Sequence, residues 1–289
     1  MMGVTLQEVT KVYNKNTALD KVSLIFENPG IYSILGPNGS GKSTLLRIIA
    51  GLVNQFAGNV IRFRNGKKVY VHEFLKYAGV ALGSPVFRPS MTGRDLLKLA
   101  SEIKGIKDIN GEIAKVSESM QISSFMNEEM RSYSSGMLRR TLLANALVGS
   151  PEILILDEPS VGLDPKSKNI IGDLIKSFSR SRDKIVIFTT HDIWEADALS
   201  NYSVIIENGH LLSPWADISI KDHYFCILSS SDSSNKHKIF PSNSYSPAHR
   251  VIDESEWKTF HENHDDEILE YHKCSEFMAR YSSLRQNEG

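Results

Sequence analysis

The sequence has few cysteines, no long apolar run and almost no net charge. Its two cysteines, Cys226 and Cys274, give no basis for a disulfide framework or a Cys-rich zinc module. No apolar stretch reaches the ~18 residues that cross a bilayer, and the first residues lack a secretory pattern. The formal net charge of −1 provides no basic field for nucleic acid. We therefore expect a cytosolic protein without a nucleic-acid partner.

Short apolar runs alternate with helix-like segments through most of the chain. Runs at 31–35, 153–156 and 185–188 are typical of buried strands, and Pro165–Arg180 has the apolar spacing of an amphipathic helix. This alternation predicts an α/β fold with a mainly parallel sheet.

The middle of the chain, from about 85 to 149, has helical patterns without intervening strands, and we expect a helical subdomain inserted into the α/β core. Thr92 can cap a helix, with Asp95 near the capping-box position. The apolar residues predicted on one side of this helix are Leu96, Leu97, Leu99 and Ile103.

Past about residue 215 the composition shifts, and residues 229–234 form a serine-rich, linker-like run. We expect one domain over 1–215 and a C-terminal extension of unknown role over 216–289. His261 and His264 could share a helical face and bind a transition metal, but their spacing matches no strong zinc pattern. The alternative is a polar, solvated appendage.

A glycine-rich loop after the first buried run carries the clearest chemistry. Its residues match G-x-x-x-x-G-K-[ST]: Gly36, Pro37, Asn38, Gly39, Ser40, Gly41, Lys42, Ser43 and Thr44. Glycines let successive backbone N–H groups point at a phosphate, and the following helix adds its positive end. Lys42 is expected to reach the β- and γ-phosphates of ATP, and the Ser43 hydroxyl to ligate Mg²⁺.

Two acidic residues follow a second buried run. Asp157 is placed to hold the Mg²⁺ shell, and Glu158 to orient and polarise the attacking water. A strand that ends in solvated acids is common, so this pattern gains its meaning from the phosphate loop before it.

Three further segments make the resemblance specific. Residues 133–137 look like the signature motif of ATP-binding cassette (ABC) proteins, residues 157–164 resemble their Walker B strand running into the D-loop, and residues 189–192 resemble their H-switch. The chain is similar to the ATP-binding subunits of ABC transporters over about residues 4–213. The resemblance implies a P-loop NTPase with a mainly parallel core sheet, N-terminal antiparallel strands, an inserted helical subdomain and a C-terminal extension.

The resemblance also implies site residues and a head-to-tail dimer of nucleotide-binding domains. Ser134 and Gly136 would contact the γ-phosphate held by the partner's P-loop, and His191 would contact it from its own chain. Asp164 would join the interface, and Tyr13 would stack on adenine. Tyr13 could instead be a surface aromatic residue, His191 a helix cap, and Asp164 the cap of the helix that begins at Pro165.

Three positions depart from the family pattern. Ser135 stands where a glycine is usual and Met137 where glutamine is common. Gly83 stands where the family has a glutamine that contacts Mg²⁺, and it has no side chain to do so. We still expect hydrolysis, because Ser43, Asp157 and Glu158 are present.

The resemblance implies an ATPase on the inner face of the cell membrane that powers a separate transmembrane permease subunit, working as a homodimer or with a paired nucleotide-binding subunit. The signature around Tyr133 and the loop at Gly83 look most like those of exporter subunits, so we expect export. The alternatives are a non-transport ABC ATPase and an ATP-binding regulatory module with weak hydrolysis. The 92 positions between Lys42 and Ser134 leave no room for the long coiled coil of chromosome-type members.

Overall fold

The structure is a computed structural model of the 289-residue chain. It describes residues 1–83, 88, 90–180, 183–212, 216–217, 223–228, 248–253, 261 and 268–274. The chain divides into two compact units: Met1–Ser200 with Val204–Trp215, and Asn201–Ser203 with Ala216–Gly289. The domain boundary expected near residue 215 stays a prediction.

The described residues among the first 212 form ten strands and seven helices. The strands are β1 (Met2–Tyr13), β2 (Asn16–Phe26), β3 (Gly30–Leu35), β4 (Ala57–Arg64), β5 (Lys67–Val69), β6 (Ala78–Ala81), β7 (Ile153–Asp157), β8 (Ile185–Thr190), β9 (Tyr202–Glu207) and β10 (His210–Leu211). The helices are α1 (Lys42–Ile49), α2 (Val71–Tyr77), α3 (Gly93–Ile103), α4 (Ile109–Ser119), α5 (Ser135–Leu147), α6 (Pro165–Arg180) and α7 (Ile193–Leu199), with a 3-10 turn at Met130–Ser132.

The core sheet has the order β10-β9-β3-β8-β7-β6, and its strands β3, β8, β7 and β6 run parallel. Every residue of β3, β7 and β8 is buried, as their apolar runs predict. In register, Leu35 lies opposite Thr190, and Asp157 lies opposite Thr189. The carboxyl ends of these strands therefore meet at one edge, where α/β sheets bind their ligands.

A second, antiparallel sheet has the order β2-β1-β4-β5 and supports the first helix of the core. The buried guanidinium of Arg62, on β4, donates hydrogen bonds to the carbonyl oxygens of Ile48 and Ile49 at 2.6 and 2.9 Å. A cation at this position stabilises the carboxyl end of α1 and so helps to fix the loop that precedes it. The N-terminal antiparallel strands that the sequence predicted are confirmed.

The helices α3, α4 and α5 form the inserted subdomain that the sequence predicted. The predicted capping box is present, because the Thr92 hydroxyl accepts from the Asp95 N–H at 3.1 Å and the Asp95 carboxylate accepts from the Thr92 N–H at 3.0 Å. The predicted apolar side of α3 is wrong in part. Leu97 is buried, whereas Leu99 and Ile103 are exposed, since α3 packs on the subdomain through the 93–97–101 stripe.

The second unit contains an antiparallel sheet that the sequence analysis did not predict. Its strands are β12 (His223–Leu228), β13 (Ala248–Asp253) and β14 (Ile268–Cys274), in the order β13-β12-β14, and the short β11 (Ala216–Asp217) pairs with residues 202 and 203 of β9. The serine-rich run 229–234 and His264 lie outside the described residues. In the part of the chain that the structure describes, no group of three or more His, Cys, Asp or Glu is placed to hold a metal.

Candidate functional site

The phosphate-binding loop lies between β3 and α1, as predicted, and it is shaped by two close approaches of the backbone. A Cβ atom on Gly36 would lie 2.1 Å from the Ile206 carbonyl oxygen, and one on Gly41 would lie 2.3 Å from the Ala18 carbonyl oxygen. Gly41 also has a φ of +107°, a conformation that other residues rarely adopt. This conformation of the loop therefore requires both glycines. The first N–H groups of α1, like those of any helix, have no acceptor within the helix.

Lys42 lies under this loop with its side chain only 4% exposed. Its Nζ donates hydrogen bonds to the carbonyl oxygens of Gly36 and Pro37, each at 2.8 Å, and lies 3.5 Å from Glu158 Oε1. The ammonium group is thus held at the mouth of the loop beside the carboxylate predicted to act on water.

Ser43, Asp157 and Thr189 form a hydrogen-bonded group behind Lys42. Asp157 Oδ1 accepts from Ser43 Oγ at 3.0 Å and from Thr189 Oγ1 at 2.7 Å. Thr189 Oγ1 in turn accepts from the N–H of Glu158 at 3.0 Å. A carboxylate and a hydroxyl are oxygen ligands that suit Mg²⁺, so the two residues predicted to hold the metal fit it.

Glu158 and His191 follow β7 and β8, and their side chains face each other. Glu158 Oε1 lies 3.6 Å from His191 Nδ1. Glu158 has a φ of +45°, which is uncommon for a residue with a Cβ and is typical of functional sites when surrounding bonds enforce it. Glu158 is partly buried and His191 is exposed, so a water molecule can reach both.

Lys42, Ser43, Asp157 and Glu158 line a cleft of about 380 Å³, and His191 contacts Glu158 from outside that lining. The lining residues of the cleft are Ala18, Asn38, Gly39, Gly41, Lys42, Ser43, Thr44, Gly83, Arg139, Asp157 and Glu158. Most of the predicted phosphate-loop residues line it, while Gly36, Pro37 and Ser40 belong to the loop outside that lining. Gly83 lines it too, with a φ of +62°, and among the described residues a Cβ there would meet only Arg47 Nη2, at 3.7 Å.

Ser134, Gly136 and Asp164 are not among the cleft residues of their own chain but lie at the beginnings of α5 and α6. Ser134 Oγ caps α5 by accepting from the Met137 N–H at 3.2 Å, and Asp164 accepts from the N–H and hydroxyl of Ser167. These two hydrogen bonds lower the pKa of Asp164. A Cβ on Gly136 would lie 3.7 Å from Asp164 Oδ2, so the two helix beginnings are neighbours. The helix cap considered for Asp164 is present.

Tyr13 lies at the end of β1 and is 42% exposed. Lys11 Nζ lies 4.6 Å from the centre of its ring. Tyr13 is not among the cleft residues, and its role as an adenine-stacking residue stays a prediction.

Sequence reasoning missed Arg139, which lines the cleft from α5. Its Nη1 donates to the Asp157 carbonyl oxygen at 3.3 Å. Burial lowers the pKa of Arg139, and the charges of Asp157 and Glu158 oppose that shift. An arginine keeps its charge in such surroundings, so the cleft has a second cation. Its position in the helix that follows the signature motif could have suggested a place near the site. Its contact with Asp157, however, joins residues 18 positions apart, which the sequence does not predict.

Comparison with known proteins extends this picture. The family model described as "ABC transporter" matches residues 19–161. YdbJ of Bacillus subtilis (strain 168), described as an uncharacterized ABC transporter ATP-binding protein, is 32% identical over 207 residues, which are 71% of this chain and 67% of YdbJ. ABC transporter A family member 1 of Dictyostelium discoideum is 33% identical over 209 residues, or 72% of this chain, but the match spans only 24% of that longer protein.

The fold matches solved structures as well. A dimeric structure of the ATP-binding cassette MJ0796, in a post-hydrolysis state bound to ADP and Pi, aligns with a TM-score of 0.66 and 26% identity. The alignment covers 74% of this chain and 98% of that one. The P-loop fold with its antiparallel N-terminal sheet is therefore confirmed, and this chain belongs to the family of ABC transporter ATP-binding proteins.

Proposed function

We propose that this chain binds and hydrolyses ATP and that the reaction powers transport through a separate transmembrane permease. One observation carries the proposal: Lys42, Ser43, Asp157 and Glu158 line one cleft at the carboxyl edge of the parallel strands, and His191 lies beside Glu158. This is the set of groups that phosphoryl transfer to water requires.

Each residue has a chemical role in this proposal. The loop N–H groups and Lys42 hold the β- and γ-phosphates, and Ser43 with Asp157 holds Mg²⁺. When bound, Mg²⁺ supplies positive charge that neutralises the phosphates. Glu158 accepts a hydrogen bond from the attacking water and polarises it, and His191 contacts the γ-phosphate side of the same water.

We propose further that two chains pair head to tail, as a homodimer or with a related nucleotide-binding subunit. Ser134, Gly136 and Asp164 do not line their own cleft, and although Ser134 Oγ accepts from the Met137 N–H, the N–H groups of Ser135 and Gly136 at the beginning of α5 have no acceptor within the helix and can bind an anion. They would contact the ATP held by the partner's P-loop. The dimeric state of the solved cassette supports this arrangement.

The membrane part of the proposal rests on the family. In the described residues, no helix combines the length and the apolar character that a bilayer crossing needs. The relatives carry the name of transporters, so we propose a permease on another chain and a position at the inner face of the membrane, with no nucleic-acid partner. Export is the proposed direction. Residues 1–215 would form the nucleotide-binding domain and 216–289 an extension.

The missing side chain at Gly83 favours one second candidate, an ATP-binding module with weak hydrolysis. Glycine offers no side-chain ligand at this edge of the cleft, so in this second candidate one contact to the metal would fall to water.

Replacement of Lys42 by alanine separates the two candidates when phosphate release and ATP affinity are both measured. We expect hydrolysis to fall about 100-fold or more, because a charged partner of the phosphates is lost. Lys68→Ala removes an exposed lysine on β5 and is the matched control. Release of phosphate at the same rate by wild type and Lys42→Ala would refute hydrolysis at this cleft, whereas a wild type that binds ATP but releases little phosphate would favour the second candidate.

A further inference from the structure

Glu158 and His191 lie in two turns, one after β7 and one after β8, and side-chain hydrogen bonds join these turns. Glu158 has an unfavourable φ of +45°, and His191, directly after β8, is exposed. Glu158 Oε1 and His191 Nδ1 lie 3.6 Å apart, so bonds that fix the two turns also act on this separation.

The carboxylate of Glu195, in the first turn of α7, bonds both turns. Its Oε2 accepts from Thr190 Oγ1 at 2.6 Å, and its Oε1 accepts a short hydrogen bond from Ser160 Oγ. Thr190 is fully buried and Ser160 is 8% exposed, so neither hydroxyl is well solvated. Hydrogen bonds to a charged acceptor are about twice as strong as neutral ones, which makes this bridge stiff.

The two hydroxyls are adjacent to the reacting groups in sequence. Ser160 lies two residues after Glu158, and Thr190 lies directly before His191. Thr190 also accepts from the Asp192 N–H at 3.0 Å, and its carbonyl oxygen accepts from the Gly36 N–H of the phosphate loop at 3.2 Å. A single carboxylate thus joins the turn after β7 to the turn after β8, and the latter is joined to the loop after β3.

We propose that Glu195 is a positioning residue that sets the distance between Glu158 and His191. Glu195 does not line the nucleotide cleft, so it acts through Ser160 and Thr190 and not on ATP. This inference rests on the proposed hydrolysis of ATP and adds to it a residue that no motif marks.

The test compares steady-state hydrolysis by three variants. Glu195→Ala removes both acceptors, and we expect kcat to fall 10- to 100-fold with KM for ATP within about twofold of wild type. Glu195→Gln keeps the length of the side chain; its amide oxygen accepts from one hydroxyl and its NH₂ donates to the other, so we expect kcat within about threefold of wild type. Asp173→Ala, which removes an exposed carboxylate on α6, is the control and should leave kcat unchanged.

Measurement in a Glu158→Gln background separates positioning from a general loss of stability. If Glu195 acts through Glu158, adding Glu195→Ala changes the residual rate by less than about twofold. A full further loss in that background, an unchanged kcat for Glu195→Ala, or equal losses for the Ala and Gln variants would each overturn the role of Glu195. Wild-type hydrolysis no faster than that of Lys42→Ala would instead overturn the proposed function, and the role of Glu195 with it.

Discussion

At the level of single residues, the cleft pairs two basic side chains with two acidic ones. Lys42 and Arg139 lie in the same lining as Asp157 and Glu158. In the proposed complex with ATP, both cations would face the negatively charged phosphates. Arg139 lies nearest to the end of β7, where it bonds the Asp157 carbonyl oxygen.

Replacement of Arg139 by glutamine should therefore weaken ATP binding by about tenfold, the usual size of one hydrogen bond to a charged group. Nucleotide titration of the purified variant measures it. Arg140→Gln is the matched control, since Arg140 donates to the Gln121 carbonyl oxygen at 2.9 Å and does not line the cleft. Equal losses of affinity in the two variants would show that Arg139 acts only on the fold of α5.

The residues of the site could be predicted where a local motif dictates them. Lys42 and Ser43 are fixed by the turn that precedes α1, and Glu158 by the end of a buried strand. Arg139 and Glu195 could not be predicted, because their contacts join segments 18 to 35 residues apart and depend on how α5 and α7 pack.

At the level of elements, Lys104 joins the inserted helices to the core sheet. It lies at the end of α3, and its Nζ donates to the carbonyl oxygens of Ala78, at the start of β6, and Val148, after α5. Burial lowers its pKa to about 8, and the nearby charge of Glu112 only partly opposes this. The neutral amine keeps N–H donors for both carbonyls.

This lowered pKa gives the fold a defined pH dependence. Between pH 8 and 10.5 the unfolded chain binds a proton at Lys104 that the folded chain has lost, so the free energy of unfolding rises with pH in this window. We expect a rise of about 1–2 kcal/mol relative to Lys104→Met, after allowance for partial exposure. Urea unfolding of both proteins at several pH values measures it. Parallel curves for the two proteins would contradict the shift.

The elements that the sequence predicted best are those with a local signal. The amphipathic pattern of Pro165–Arg180 gives α6 at those bounds, and the buried runs give β3, β7 and β8. The strands β12, β13 and β14 were missed, because each pairs with a partner that is distant in sequence and its own alternation is weak. On α3, the buried side could not be predicted from the apolar residues, because positions 93, 97 and 101 are buried whereas Leu99 and Ile103 are exposed.

At the level of the whole molecule, the proposed dimer depends on residues that do not line the cleft of their own chain. Ser134 is exposed and caps α5. In Ser134→Arg, the added side chain should block the partner's γ-phosphate from reaching the beginning of this helix. We expect ATP affinity of the single chain within about twofold of wild type and a loss of about 1 kcal/mol of stability from the missing cap.

Sedimentation with ATP, in the Glu158→Gln background that is expected not to hydrolyse it, measures the effect of Ser134→Arg on association. Ser177→Arg, at an exposed position of α6, is the control for added charge and bulk. Loss of ATP binding by the separate chains would place Ser134 in its own site and contradict the head-to-tail arrangement.

In the proposed mechanism, Glu158 activates water at an ATP site that a second chain completes. The most direct measurement takes Glu158→Gln with Mg²⁺ and ATP and records phosphate release together with molar mass by light scattering. The amide cannot accept the proton, so we predict a rate at least about 100-fold below wild type, unchanged ATP affinity, and a dimer that persists with ATP but not with ADP. Hydrolysis at the wild-type rate would rule out this role of Glu158, and a monomer that has ATP bound would rule out the second chain's part in the site.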